Sequence, residues 1–210
     1  MPMPSVHIRL RLDLLTGLCS IGCLAATLVF SAPASAQSTL NIISRAEWGA
    51  SAAAYAGERQ RPTQIMIHHT ATRSREGVST ARKMRNLQHF SQTKQKLADG
   101  QAKPAWSDVP YHFYIAANGE IAEGRAITIV GESNTDYDAS GYIQIVLEGN
   151  FELETPKPEQ LSSLKALVKA LRSKYSISQT DIRSHEDVAA TACPGRNLAR
   201  LLPDLLGVRD

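Results

Sequence analysis

The sequence predicts an α/β protein, a single domain with a central mixed β-sheet flanked by helices. Three observations carry this reading. Apolar runs of strand length at 65–67 and 141–151 alternate along the chain with helical periodicity at 80–92 and 158–175. Asn118-Gly119 separates two apolar stretches, the pattern of a hairpin. No internal repeat and no composition shift marks a second domain.

The first 36 residues stand apart. Arg9 and Arg11 precede an uncharged run from Leu14 to Phe30, and Ala34-Ser35-Ala36 gives a small-x-small cleavage pattern. The expectation is a signal peptide over 1–36, cut before Gln37, with the functional domain at 37–210. The protein is then exported, periplasmic or secreted, with no membrane span once the leader is removed. Seventeen uncharged residues are at the lower limit for a transmembrane anchor, the competing reading. A lipid on Cys23 is a further alternative, although Ser20-Ile21-Gly22 lacks the usual leucine.

The 210-residue chain carries a net charge of +3, and losing Arg9, Arg11 and Asp13 lowers it by one. With no basic run interleaved with aromatics, this excludes nucleic acid as the expected partner. It permits contact with an anionic polymer. Cleavage also removes Cys19 and Cys23, so Cys193 remains alone and no internal disulfide can form.

Taken in order, Ser44 and Glu47 have capping-box spacing, which predicts a short helical turn before Trp48, a core or edge anchor. Ile65-Met66-Ile67 predicts a buried strand that delivers His68 and His69 at its C-terminal end. Successive strand residues point to opposite faces, so one histidine faces a site and the other packs. Residues 80–92 predict an amphipathic helix with Met84, Leu87 and Phe90 inward and His89 exposed. Residues 93–105 read as a surface loop. Tyr111 and His112 open the first strand of the hairpin, and 127–141 is polar and irregular. Glu148, ending the next strand, is either a site carboxylate or an exposed strand-end charge. Leu161, Leu164, Leu167, Val168 and Leu171 fall on one face of the clearest helix, 158–175. A C-terminal helix is expected over 197–206.

Between the last two helices lies S-H-E-D-V-A-A-T-A-C-P-G, residues 184–195. His185 and Cys193 on a loop that Pro194 and Gly195 force to turn are good zinc ligands. His68 supplies a third. Two imidazoles and a thiolate leave one position open, the pattern of catalytic rather than structural zinc. The alternative for Cys193 is a small buried hydrophobe. Asp187 is either a hydrogen-bond partner of a ligand histidine or a loop cap.

Beyond these residues, the order of motifs resembles the peptidoglycan recognition protein and type-2 N-acetylmuramoyl-L-alanine amidase family, which includes phage lysozyme-type enzymes. The matching pieces are I-S-R-A-E-W-G-A (43–50), I-M-I-H-H-T-A (65–71), M-R-N-L-Q-H-F (84–90), W-S-D-V-P-Y-H-F (106–113), N-G-E-I-A-E-G-R (118–125), L-E-G-N-F (147–151) and H-E-D-V-A-A-T-A-C-P-G (185–195). The resemblance implies zinc held by His68, His185 and Cys193. It implies Tyr111 beside the zinc water and Thr191 at the position that is Lys or Thr in active members. The implied reaction is hydrolysis of the amide between N-acetylmuramic acid and L-alanine, with peptidoglycan or muropeptides as partner. Four departures stand out. Glu186 replaces the usual arginine; Val146 replaces a catalytic glutamate of some bacterial relatives; 93–105 is long; and Gly131-Glu132-Ser133-Asn134 stands where the family has G-A-H-T, which puts substrate contacts there in doubt. The alternatives are a recognition module that binds peptidoglycan without cutting it, and a zinc peptidase acting within the stem peptide. H-E-x-x-H, the mark of many such peptidases, is absent. G-x-S-x-G is also absent, against a serine hydrolase.

Overall fold

The computed structural model describes residues 40–97 and 100–207. The leader, its cleavage site and Cys23 lie outside the described residues. In chain order the elements are β1 (Ile42–Ile43), α1 (Arg45–Trp48), β2 (Gln64–His69), α2 (Thr80–Gln92), β3 (Gln95–Lys96), β4 (Ala102–Lys103), β5 (Phe113–Ile115), β6 (Ile121–Glu123), β7 (Tyr142–Leu147), α3 (Pro158–Tyr175), β8 (Ile182–Ser184), α4 (Arg196–Ala199) and α5 (Leu202–Leu206).

Six strands form one sheet in the order β1-β6-β5-β7-β2-β8. Only β5 and β6 pair antiparallel; the other neighbours are parallel, so the sheet is mixed as expected. Alternation along the strands separates two cores. On one face Ile65, Ile67, Ile143, Ile145 and Leu147 meet Leu164, Leu167, Val168 and Leu171 of α3. On the other face Val146, Tyr114 and Ala122 pack with Trp48 and Met84 beneath α1 and α2.

The helices start where the sequence indicates. Ser44 Oγ accepts the Glu47 N–H, and Glu47 accepts the Ser44 N–H, closing the capping box of α1. Pro158 opens α3, while Gln160 Oε1 accepts the Lys157 N–H.

Several expectations need correction. Phe90 is exposed, and the inward positions of α2 include Gln88 and Ser91, which bond to Asp108 and to the Leu87 carbonyl. The 93–105 segment is not simply a surface loop. It holds the β3–β4 hairpin, and Lys103 is buried, donating to the Ser91 and Pro104 carbonyls with its ammonium over the Trp106 ring. The hairpin turn after β5 places Gly119, not Asn118, at positive φ. Gly119 N–H bonds the Ala116 carbonyl and Ala116 N–H bonds Glu120, a wider turn than a two-residue Asn-Gly one. The C-terminal helix breaks into α4 and α5 around Leu201, where Pro203 enters the first turn of α5 and supplies no N–H.

Candidate metal centre

Parallel pairing builds the site. Ile67 of β2 lies opposite Ser184 of β8, so the next residues along each strand, His68 and His185, emerge side by side. Their ring centroids are 4.6 Å apart. His185 opens a 3-10 turn over His185–Asp187, where Asp187 Oδ2 accepts the Ser184 N–H at 2.6 Å. Asp187 is therefore the loop cap, not the partner of a ligand histidine.

Cys193 returns to the same place from the following loop. Its N–H donates to Thr191 Oγ1, and its Sγ accepts the His69 N–H at 3.4 Å. Gly195, at φ +90°, closes that loop against 151–152; a Cβ there would lie 2.6 Å from the Phe151 carbonyl carbon and 2.9 Å from His69 Nδ1. His69 faces the α3 side of the sheet, where Nδ1 accepts the Phe151 N–H. The two adjacent histidines thus divide the roles as strand alternation requires.

Sγ of Cys193 is 3.6 Å from His68 Nδ1. One ligand atom each from His68, His185 and Cys193 falls within 4.8 Å of the others. His185 Nδ1 is the buried side-chain polar atom left without a hydrogen-bond partner among the described residues. A buried, unpaired imidazole nitrogen beside a second imidazole and a thiol is costly unless something binds there. A cation does this, and the soft N/N/S donor set suits zinc.

The electrostatics agree. Burial, reinforced by His185, holds His68 down to about 3, and burial holds His185 down to about 4. Both rings are neutral at physiological pH with lone pairs to offer. Burial pushes the Cys193 thiol up to about 12, against the His69 N–H and with the Glu186 carboxylate. Glu186, the departure from the family motif, therefore acts on the charge of the site without entering it.

Tyr111 lies just before β5, its ring centroid 5.2 Å from that of His68. Burial raises its pKa, as do Cys193 and Tyr137, so the phenol keeps its proton. Its backbone position depends on the E-G-R motif: a Cβ on Gly124 would meet the Tyr111 carbonyl oxygen at 2.0 Å, and Arg125 N–H donates to that same oxygen. Val146 is fully buried in the α1–α2 core.

Glu148 is neither a site carboxylate nor an exposed charge. It is buried, paired with Lys83 at 2.8 Å, and accepts the Arg75 and Ala117 N–H groups. Glu132 is likewise engaged with the scaffold, pairing with buried Arg125 and accepting the Ser107 N–H. The sequence reading missed Thr135, Tyr137 and Gln144. Thr135 Oγ1 is 2.7 Å from His185 Nε2, Gln144 Oε1 is hydrogen-bonded to His68 Nε2, and the Tyr137 ring lies 5.0 Å from that of His185. Only Gln144 left a signal, as a polar residue inside an apolar strand.

The sequence pattern of the N-acetylmuramoyl-L-alanine amidases matches residues 58–196, which include all three candidate ligands and Tyr111. The chain belongs to this family. Both peptidoglycan-recognition proteins and endolysins are similar to the chain. Peptidoglycan-recognition protein SD of Drosophila simulans is 31% identical over 173 residues, covering 79% of this chain and 86% of its own. The endolysin of Enterobacteria phage K11 is 27% identical over 148 residues, covering 68% and 87%. Among solved structures, the N-acetylmuramoyl-L-alanine amidase LysC from Clostridium intestinale superposes with a TM-score of 0.63 at 31% identity, covering 81% of this chain and all of LysC. The family chain thus carries a mixed-sheet amidase fold and a His/His/Cys group able to take a metal.

Proposed function

We propose that the protein is a zinc-dependent N-acetylmuramoyl-L-alanine amidase that cuts the lactyl–L-alanine amide of peptidoglycan. The observation that carries this is the unpartnered, buried Nδ1 of His185 converging with His68 and Cys193. His68, His185 and Cys193 would hold the ion. Zinc there supplies Lewis acidity, bringing the pKa of a water toward about 7 and polarising the scissile carbonyl.

The remaining work falls to the chain. Tyr111, kept protonated, donates a hydrogen bond; aimed at the oxyanion that develops on the substrate carbonyl, such a donor is worth about 3–4 kcal/mol. Thr191 fixes the Cys193 backbone through its oxygen, and its hydroxyl hydrogen remains to help hold the substrate carbonyl. Val146 leaves no carboxylate at that strand position, so no general base comes from β7 there. Export through the 1–36 leader places the enzyme where peptidoglycan is.

A recognition module without catalysis is the second reading, favoured by the similarity to peptidoglycan-recognition protein SD. Two variants separate them. Cys193→Ala is expected to lose zinc and hydrolysis together, and an active, metal-replete variant would overturn the ligand assignment. Tyr111→Phe is expected to keep zinc at full stoichiometry while kcat falls about 100-fold or more. Unchanged turnover would remove Tyr111 from the mechanism.

A further inference from the structure

Beneath the ligand histidines runs a chain of uncharged side chains. On one side, His68 Nε2 meets Gln144 Oε1, and the Gln144 amide NH2 donates to the Tyr137 phenol oxygen at 3.0 Å. On the other, His185 Nε2 meets Thr135 Oγ1 at 2.7 Å, and Thr135 Oγ1 meets Ser133 Oγ at 2.7 Å. Ser133 Oγ also accepts the Thr135 backbone N–H at 3.1 Å.

We propose that Gln144, Thr135 and Tyr137 are positioning residues that hold both histidines as Nε2–H tautomers, so that both Nδ1 lone pairs face Cys193. The proposal rests on the metal-centre reading above. An amide oxygen only accepts, so Gln144 Oε1 requires the proton on His68 Nε2. The Tyr137 oxygen lies 3.0 Å from the Gln144 amide nitrogen and 3.4 Å from Oε1, so its shorter contact favours this orientation of the amide. With the amide reversed, its NH2 would face His68 Nε2 and drive the proton onto Nδ1, toward Cys193. On the other branch Ser133 Oγ already accepts the Thr135 N–H; with the Thr135 hydroxyl donating to that same oxygen, Thr135 Oγ1 is left to accept from His185 Nε2.

The partners are also chosen for charge. A carboxylate at either position would add a negative charge beside the thiolate. An amide and a hydroxyl set the tautomers and leave a divalent ion with one thiolate at net +1, preserving its pull on electrons. Gln144 is 2% exposed and interrupts the apolar run I-Q-I-V-L, a costly placement unless its amide is fully used.

The test uses the metal-free protein, labelled with 15N-histidine, and long-range proton–nitrogen correlations of the imidazole rings. Both His68 and His185 should show a protonated Nε2 and a bare Nδ1. Gln144→Met should release His68 from that tautomer, and Thr135→Val should release His185, each weakening zinc 10–100-fold in competition with a chromophoric chelator. Thr135→Ser, which keeps the hydroxyl, should restore both the tautomer and the affinity. Tyr137→Phe, which leaves Gln144 in place, should mix the tautomers of His68. Wild-type tautomers and affinity in folded Gln144→Met and Thr135→Val would overturn the proposal. Nε2–H tautomers in a wild-type protein that binds no zinc would uphold the positioning role and overturn the metal reading instead.

Discussion

Cys193 sits between opposing influences. Burial holds its thiol protonated up to about pH 12, while the His69 N–H at its sulfur favours the thiolate. A zinc ion binds the thiolate, so binding must expel that proton. His68 and His185 are already neutral at pH 7 and release none. Zinc binding at pH 7 is therefore expected to release about one proton, read by titration calorimetry in buffers of different ionisation enthalpy. Binding without proton release would mean that Cys193 is not a ligand.

At the scale of elements, strand register and loop closure matter more than any one side chain. The Ile67–Ser184 pairing puts His68 beside His185, and two glycines allow the approach of neighbouring backbones. Gly124→Ala drives a methyl into the Tyr111 carbonyl, and a loss of at least 1–3 kcal/mol in denaturant melts is expected, with the Tyr111 segment displaced. Helix α3 serves as scaffold: Leu164→Ala removes a fully buried side chain from its face and should cost about 2–5 kcal/mol without altering zinc stoichiometry. Periodicity made α2, α3, β2 and β7 legible, because each has a face that can be counted. The His68/His185/Cys193 group that could hold a metal was legible because motif order carries it. The partners of those residues were not. Thr135 and Tyr137 sit in an irregular segment with no period, and their role exists only once β8 and the 133–137 segment meet. Glu148 was ambiguous because the sequence does not reveal that Lys83 and two backbone N–H groups converge on it. Lys103 misled for a related reason: a lysine reads as surface until Phe90 and Trp106 are seen to wall it in.

Across the whole molecule, the sheet is supported by a histidine that must stay neutral. His112 is buried, with Nδ1 accepting the Gln144 N–H and Nε2 donating to the Ile129 carbonyl at 2.8 Å. Burial holds it down to about 4, against 6.5 when solvated. The unfolded chain therefore binds the extra proton first. The stability linked to His112 is complete above about pH 6.5 and is lost as pH falls toward 4, on the order of a few kcal/mol. His68 and His185 add to the same acid sensitivity in the metal-free protein. Thermal melts of metal-free protein should fall steadily from pH 7 to pH 4.5, and a flat profile would mean that His112 is charged in the fold. Among the described residues no helix is long and apolar enough to cross a membrane. As proposed above, the site cuts peptidoglycan rather than only binding it. The direct test is to incubate the 37–210 protein with purified peptidoglycan, with and without a chelator, and identify the released ends by mass spectrometry. Free stem peptides beginning at L-alanine, absent on chelation and restored by zinc, are the predicted result. Peptidoglycan bound with no new ends would contradict it.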